Sequence, residues 1–205
     1  MKQLSEELIA QLLESGYELR NIEYKSPFNW SDKKATWIKE KTIRAILATT
    51  NTRSGGQIVI GVETKDDKSI NLKGVTDEEL KSLEDFDGIK GEVDGFSFTN
   101  TDFDISWGSH KNKKYVVLTI HEFSEIPAIC RKNGETKGVL TIYDIYARSK
   151  KAPYSSIKAT DAELREMIHM AVDKEKTGLK SRGLVKKSTI SPEEFYKKQV
   201  KDLIQ

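Results

Sequence analysis

Three glutamates, Glu18, Glu23 and Glu63, are of a residue type that can do chemistry jointly. Hard divalent cations such as Mg²⁺ or Mn²⁺ take carboxylate oxygens as ligands, and a cation held that way can activate water while it neutralises a phosphate. A plainer reading of the same residues has Glu23 pairing with Lys25 or Arg148, with Glu18 and Glu63 as solvated strand ends. Lys25, Lys39, Arg44, Arg131, Arg148, Lys150 and Lys151 are candidates for phosphate contact. Tyr24, Trp30, Trp37 or Tyr154 could stack on unpaired bases, but a core position suits each of them better, Trp37 above all because it lies in a helical stretch. The pair Gly55-Gly56 permits a tight turn at positive φ whose N–H groups can receive a phosphate. A plain loop ahead of a buried strand is the alternative.

The elements that must position these residues are legible from periodicity. Leu4, Leu8, Ile9, Leu12 and Leu13 recur at helical spacing, with Ser15-Gly16 as a stop, and Tyr17 to Lys25 reads as a strand behind a short turn. Lys33 to Thr49 predicts a helix, in which Glu40 stands four residues before Arg44. Gln57 to Val62 is a short β-branched run of the kind buried on both faces, and is the best candidate for a central strand. Thr76 with Glu79 forms a capping box for a short helix carrying Leu80 and Leu83. Phe96 and Phe98, then Phe103, Ile105 and Trp107, alternate as in strands, and Asn112 marks a turn into Tyr115 to His121. Ile126 to Cys130 and Leu140 to Ala147 follow as further extended segments around the Asn133-Gly134 turn. Thr160 with Glu163 opens a helix in which Leu164, Met167, Ile168, Ala171 and Val172 face a core. Lys174 to Ser188 reads as a basic linker, and Ser191-Pro192 begins a last helix. The class is α+β, a mixed β-sheet with packed helices, with one domain over residues 1–173 and a basic linker plus C-terminal helix over 174–205.

Composition bounds the function. The chain has 205 residues, 32% of them charged, and a net charge of +2, too small to imply a polyanionic partner without a favourable distribution. That distribution is uneven, with basic stretches from Lys25 to Arg53 and from Arg131 to Lys158 and an acidic one from Glu63 to Asp104. Cys130 is the single cysteine, which excludes an intrachain disulfide and a cysteine-built zinc site. No apolar run approaches the ~18 residues that cross a bilayer, and the N-terminus lacks the apolar core of a signal peptide, so a cytoplasmic location is expected. No nucleophile-elbow Gly-x-Ser-x-Gly and no P-loop sequence occurs.

Gly16-Tyr17-Glu18 leading to Glu23-Tyr24-Lys25, then Asn51-Thr52-Arg53-Ser54-Gly55-Gly56 and Ile60-Gly61-Val62-Glu63, resemble the Schlafen AlbA-like domain family. Ile126-Pro127 and Tyr146-Ala147-Arg148-Ser149 resemble its closing strands, so the likeness runs from about Ser15 to Val172. The chain departs from the pattern at Tyr24 (usually Phe), at Thr49-Thr50, at the extra residue in Arg53-Ser54 and at Glu63 (usually Asp). The resemblance implies nucleic-acid contact, with Arg148 the first basic residue to expect there. It also implies a possible metal-dependent endoribonuclease acting on structured RNA such as tRNA, with Glu18, Glu23 and Glu63 holding Mg²⁺ or Mn²⁺. The alternatives are a non-catalytic DNA- or RNA-binding regulator or antiviral defence module, and a module that forms homo-oligomers through its last helix. The first two readings require the early acidic strand to lie beside the glycine-led strand, with positive side chains around their rim.

Overall fold

The computed structural model describes residues 1–14, 18–65, 69–151 and 154–181. Contacts divide the chain into two units, Met1–Ala171 and Val172–Gln205. The first is an α+β fold around a mixed five-stranded sheet ordered β1-β6-β7-β3-β2, comprising β1 (Lys2–Gln3), β2 (Ile22–Lys25), β3 (Gly56–Ile60), β6 (Phe103–His110) and β7 (Lys113–Ile120). The early acidic strand does lie beside the glycine-led strand, since β2 pairs with β3 in parallel, Glu23 opposite Ile58. β3 is an internal strand, antiparallel to β7 on its other side. It ends at Gly61, after which β4 (Val62–Thr64) turns away to pair with β5 (Ile70–Leu72).

Period-two alternation decides which side chains go to which face. Ile58 and Ile60 of β3, with Val116, Leu118 and Ile120 of β7, join the core under helix α2 (Thr36–Thr50). Val59 and Val117, one residue out of phase, join the second core with Ile9 and Leu13 of α1 (Glu6–Glu14). Both faces of the central strands are thereby covered, which is why β3 lacks polar alternation. α2 is not a surface helix with one apolar stripe. Every residue from Ile43 to Thr50 except Arg44 is buried, and a one-turn 3-10 segment, Lys33–Ala35, leads into it, with the Asp32 side chain capping the Lys34 N–H.

The first core also holds α3 (Asp77–Ser82) and α4 (Phe86–Asp94). The capping box of Thr76 and Glu79 is present at the start of α3. α4 was not visible in the residue pattern, and Phe96 and Phe98 follow it as a single bridge at Ser97 to Cys130 instead of a strand. Leu140 to Ala147 is mostly irregular, and only its end joins β8 (Tyr146–Arg148), which forms a hairpin with β9 (Ser156–Lys158). α5 (Asp161–Ser181) continues as helix through Lys174 to Ser181, where a linker was expected. Ile168, expected in the core, is 61% exposed, and Met167 and Met170 take the buried positions. Ser15-Gly16, Tyr17 and the helix expected from Ser191 lie outside the described residues. Among those described, no helix is long and apolar enough to cross a membrane.

Asn51, just past α2, ties this helix to the closing segments. Its side-chain amide donates to Ala128 O at 2.8 Å and Tyr146 O at 2.9 Å, and its carbonyl accepts from Ala128 N at 2.7 Å. Replacing Asn51 by Ala strands three buried backbone groups. We expect destabilisation by about 3 kcal/mol or more, read as a lowered urea midpoint with an unchanged slope.

Candidate functional site

Since Ile22 and Tyr24 of β2 point into the α1 core, Glu23 and Lys25 must point to the other face, where the β8–β9 hairpin closes over the sheet edge. Glu23 is 5% exposed and Arg148, from β8, 1%. One Glu23 oxygen accepts from the Lys25 ammonium, and the other accepts from Arg148 Nη1 and, at 2.6 Å, from Ser156 Oγ of β9. The rest of the guanidinium is spent on backbone. Its Nε donates to Arg20 O at 3.1 Å, and its Nη2 donates to Leu19 O at 3.0 Å and Ile22 O at 3.2 Å. Glu18 completes the group, with Oε2 4.0 Å from Arg148 Nη2 and Oε1 accepting from the Tyr24 N–H at 3.2 Å.

Two anions and two cations therefore cancel. Burial works to push Glu23 up, but Lys25 and Arg148, with hydrogen bonds from Lys25 and Ser156, hold its carboxyl below the ordinary 4.5. Burial and the neighbouring Glu23 charge push Glu18 above 4.5, against Lys25 and Arg148.

Glu63 does not join them. It lies on β4, half-buried, accepting from Lys73 Nζ at 3.0 Å and Asn71 Nδ2 at 3.3 Å, and those hydrogen bonds hold its carboxyl low. Among the described residues no three acids, histidines or cysteines form a group that could hold a metal ion. A dication at Glu18 and Glu23 would displace protein cations from a pair already neutralised, so the donor set does not fit Mg²⁺ or Mn²⁺.

The glycine turn is committed as well. Gly55 has φ +65°, and a Cβ there would stand 2.0 Å from Ile120 O; one on Gly56 would stand 2.4 Å from Asn21 O. Glycine is required by close packing of backbone on backbone. The Glu122 carboxylate accepts the Ser54 N–H at 2.5 Å, and the Gly55 N–H donates to Thr52 O at 2.9 Å, so protein oxygens hold the donors a phosphate would need.

The expected cations divide into engaged and free. Lys25 and Arg148 belong to the buried cluster, Lys39 pairs with Glu92 at 3.2 Å, and Lys150 pairs with Glu166 at 3.0 Å. Arg131 and Lys151 are exposed, and among the described residues neither they nor Arg44 forms an ion pair. Among the aromatics, Tyr24 and Trp30 are core residues, the indole N–H of Trp30 donating to Glu92 at 2.9 Å, and Tyr154 is half-buried. Trp37 departs from expectation, being 53% exposed on the outer face of α2.

Trp37, Lys41 and Arg44 lie at i, i+4 and i+7 along α2, one side of the helix. The Lys41 ammonium sits 3.8 Å over the Trp37 ring. Burial, then the charges of Arg44 and Lys25, push Lys41 below its ordinary 10.5, with only Glu23 opposing. The buried Nε of Arg44 has no hydrogen-bond partner among the described residues. This is a patch of positive charge that forms no ion pair among the described residues, next to an exposed indole. Residue type alone did not single out Lys41, but its spacing from Trp37 and Arg44 carried the signal. Glu40, expected beside Arg44, is 3% exposed and accepts from the Glu135 and Thr136 N–H groups instead.

The buried cluster makes opposite predictions for its two acids. Glu23→Gln leaves Arg148 partly unpaired and should lower stability near pH 7 by about 3 kcal/mol. Because the folded-state pKa of Glu23 is depressed, its contribution is present above 4.5 and disappears as pH falls through the folded value, so the gap to wild type should close in acid. Glu18 has a raised pKa, and its ionised form costs stability above that value. Glu18→Gln should therefore be at least as stable as wild type near neutrality. Urea unfolding of both variants at neutral and at acid pH checks both signs.

The family described as Schlafen, AlbA_2 matches residues 18–154, from the first acid of the cluster to just short of β9. Among solved structures, the DIP2311 protein from Corynebacterium diphtheriae is similar at 14% identity and a TM-score of 0.47, over 78% of this chain and 28% of that one. The N-terminal domain of a putative ATP-dependent DNA helicase RecG-related protein from Nitrosomonas europaea is similar at 15% identity and a TM-score of 0.37, over 77% of this chain and 92% of that one. The chain thus spans little more than a quarter of the first of these proteins, and among curated proteins no match is found. With a match that takes in Glu18, Glu23, the glycine turn and Arg148 and covers well over half of it, the chain belongs to the Schlafen AlbA_2 family.

Proposed function

We propose that this chain is a nucleic-acid-binding module without a nuclease centre, gripping phosphates with the Lys41 and Arg44 face of α2 and stacking a base on Trp37. The observation that carries the proposal is the uncompensated Lys41 and Arg44 pair. Burial and the neighbouring Arg44 charge both disfavour the charged form of Lys41, and a bound phosphate relieves that penalty. An exposed indole beside them offers a flat face to an unpaired base. Membership of a family associated with nucleic acid supports the same reading.

An endoribonuclease acting on structured RNA such as tRNA is the competing reading. It would need Glu18, Glu23 and Glu63 to share a Mg²⁺ or Mn²⁺ ion, and the protein partners that each carboxylate has already taken weigh against it.

Fluorescence anisotropy with labelled single-stranded RNA, tRNA and DNA duplex, across a salt series, tests the proposal. The Lys41→Ala/Arg44→Ala variant should weaken single-strand binding by about tenfold or more near ~0.1 M salt, and flatten the log–log salt slope by about 0.7 for each phosphate no longer neutralised. Trp37→Ala should weaken single strands more than duplex. If the double variant binds as tightly as wild type, the α2 face does not grip the nucleic acid. In the same preparations tRNA should stay intact with and without Mn²⁺; Mn²⁺-dependent cuts that vanish in Glu23→Gln would reinstate the nuclease.

A further inference from the structure

A second aromatic feature lies away from α2. Phe98 and Tyr143 are 52% and 70% exposed, yet their rings stack nearly parallel, 5.9 Å apart between centroids and 5° between planes. They meet across a short extended segment. Phe98 N–H donates to Ile129 O at 3.0 Å, Tyr143 N–H donates to Cys130 O at 2.8 Å, and Ser97 and Ile145 bridge Cys130 and Ile129 from either side. In this register Arg131 stands opposite Phe96, to whose carbonyl its N–H donates at 2.8 Å, so Arg131 and Phe98 belong to the same face.

Three observations point to a ligand. Tyr143 holds φ +67°, a left-handed conformation unfavourable for a bulky side chain, and no burial of its ring offsets that cost. Arg131 is exposed, with no carboxylate partner among the described residues. The adjacent acid, Asp144, is already neutralised by Lys158 at 2.5 Å. Lys132 lies 4.2 Å over the buried Phe96 ring and shares a small cleft with Glu92 and Glu135, so Arg131 is the cation this shelf presents.

We infer that Phe98 and Tyr143 form a stacking shelf for an unpaired nucleobase, with Arg131 taking the phosphate that follows it. The inference rests on the nucleic-acid reading above and extends it, for a second contact remote in sequence from α2 implies a preference for single-stranded segments over duplex, whose bases are already stacked.

The test compares wild type with Phe98→Ala/Tyr143→Ala, Phe98→Tyr/Tyr143→Phe and Arg131→Ala on a labelled single strand and its duplex. The alanine pair should bind the single strand about fivefold to tenfold more weakly and the duplex less than about twofold more weakly. The aromatic swap should retain wild-type binding, and Arg131→Ala should weaken the single strand at low salt only. Both rings are exposed, so thermal unfolding should be unchanged and loss of fold is excluded. Single-strand affinity of the alanine pair within about twofold of wild type overturns the shelf, as does light scattering that shows this pair converting a wild-type dimer to monomer with single-strand binding intact. If wild type binds neither probe, the nucleic-acid reading fails and the shelf with it; if wild type binds and only the Lys41→Ala/Arg44→Ala variant is impaired, the shelf alone fails.

Discussion

The pair of Glu23 and Arg148 is the interaction on which the domain's closure depends. Neither charge could remain so far from water without the other, and their remaining capacity is filled by Lys25, Ser156 and three carbonyls of the Leu19 to Ile22 turn. A hairpin more than a hundred residues from β2 in sequence is thus fixed to its edge by one guanidinium. An Arg suits this where a Lys would not, because five donors in a planar fork can serve a carboxylate and several backbone oxygens at once.

That closure also determines what is left for function. Because the hairpin and the sheet edge consume Lys25 and Arg148, positive charge near this edge reaches the surface from the next layer out, on α2, and elsewhere from residues such as Arg131 and Lys151. The helix serves three directions. Its inner side packs the first core, its Glu40 side holds a loop, and its Trp37, Lys41 and Arg44 side carries charge that forms no ion pair among the described residues. The Lys25 charge reaches Lys41, so the cluster at the sheet edge shapes the electrostatics of the outer patch.

Much of this was legible in the residues. The neighbourhood of the two motif strands was required by the family resemblance; the β-branched run of β3, the period-two alternation of β7 and the capping box at Thr76 followed from local pattern. So did the plainer pairing of Glu23 with Lys25 or Arg148. Other features were not legible, for identifiable reasons. Trp37 falls in a helix whose second half is almost wholly buried, and helical periodicity could not show that its first turn emerges. α4 is short and carries two glycines, so its pattern was too weak to compete with the alternation of Phe96 and Phe98. Glu63 looked equivalent to Glu18 and Glu23 because sequence does not report that Gly61 ends β3 and sends the next strand elsewhere.

Glu40 has a consequence for motion. The Glu135 and Thr136 amides belong to an irregular surface loop, a setting where backbone protons usually trade with solvent quickly. Here both donate to one carboxylate rooted in the middle of α2, and Gly134 leaves no room beside it for a side chain. The loop is released only when that anchor lets go, so deuterium should enter these two positions far more slowly than the exposure of their neighbours suggests, on a clock set by the helix.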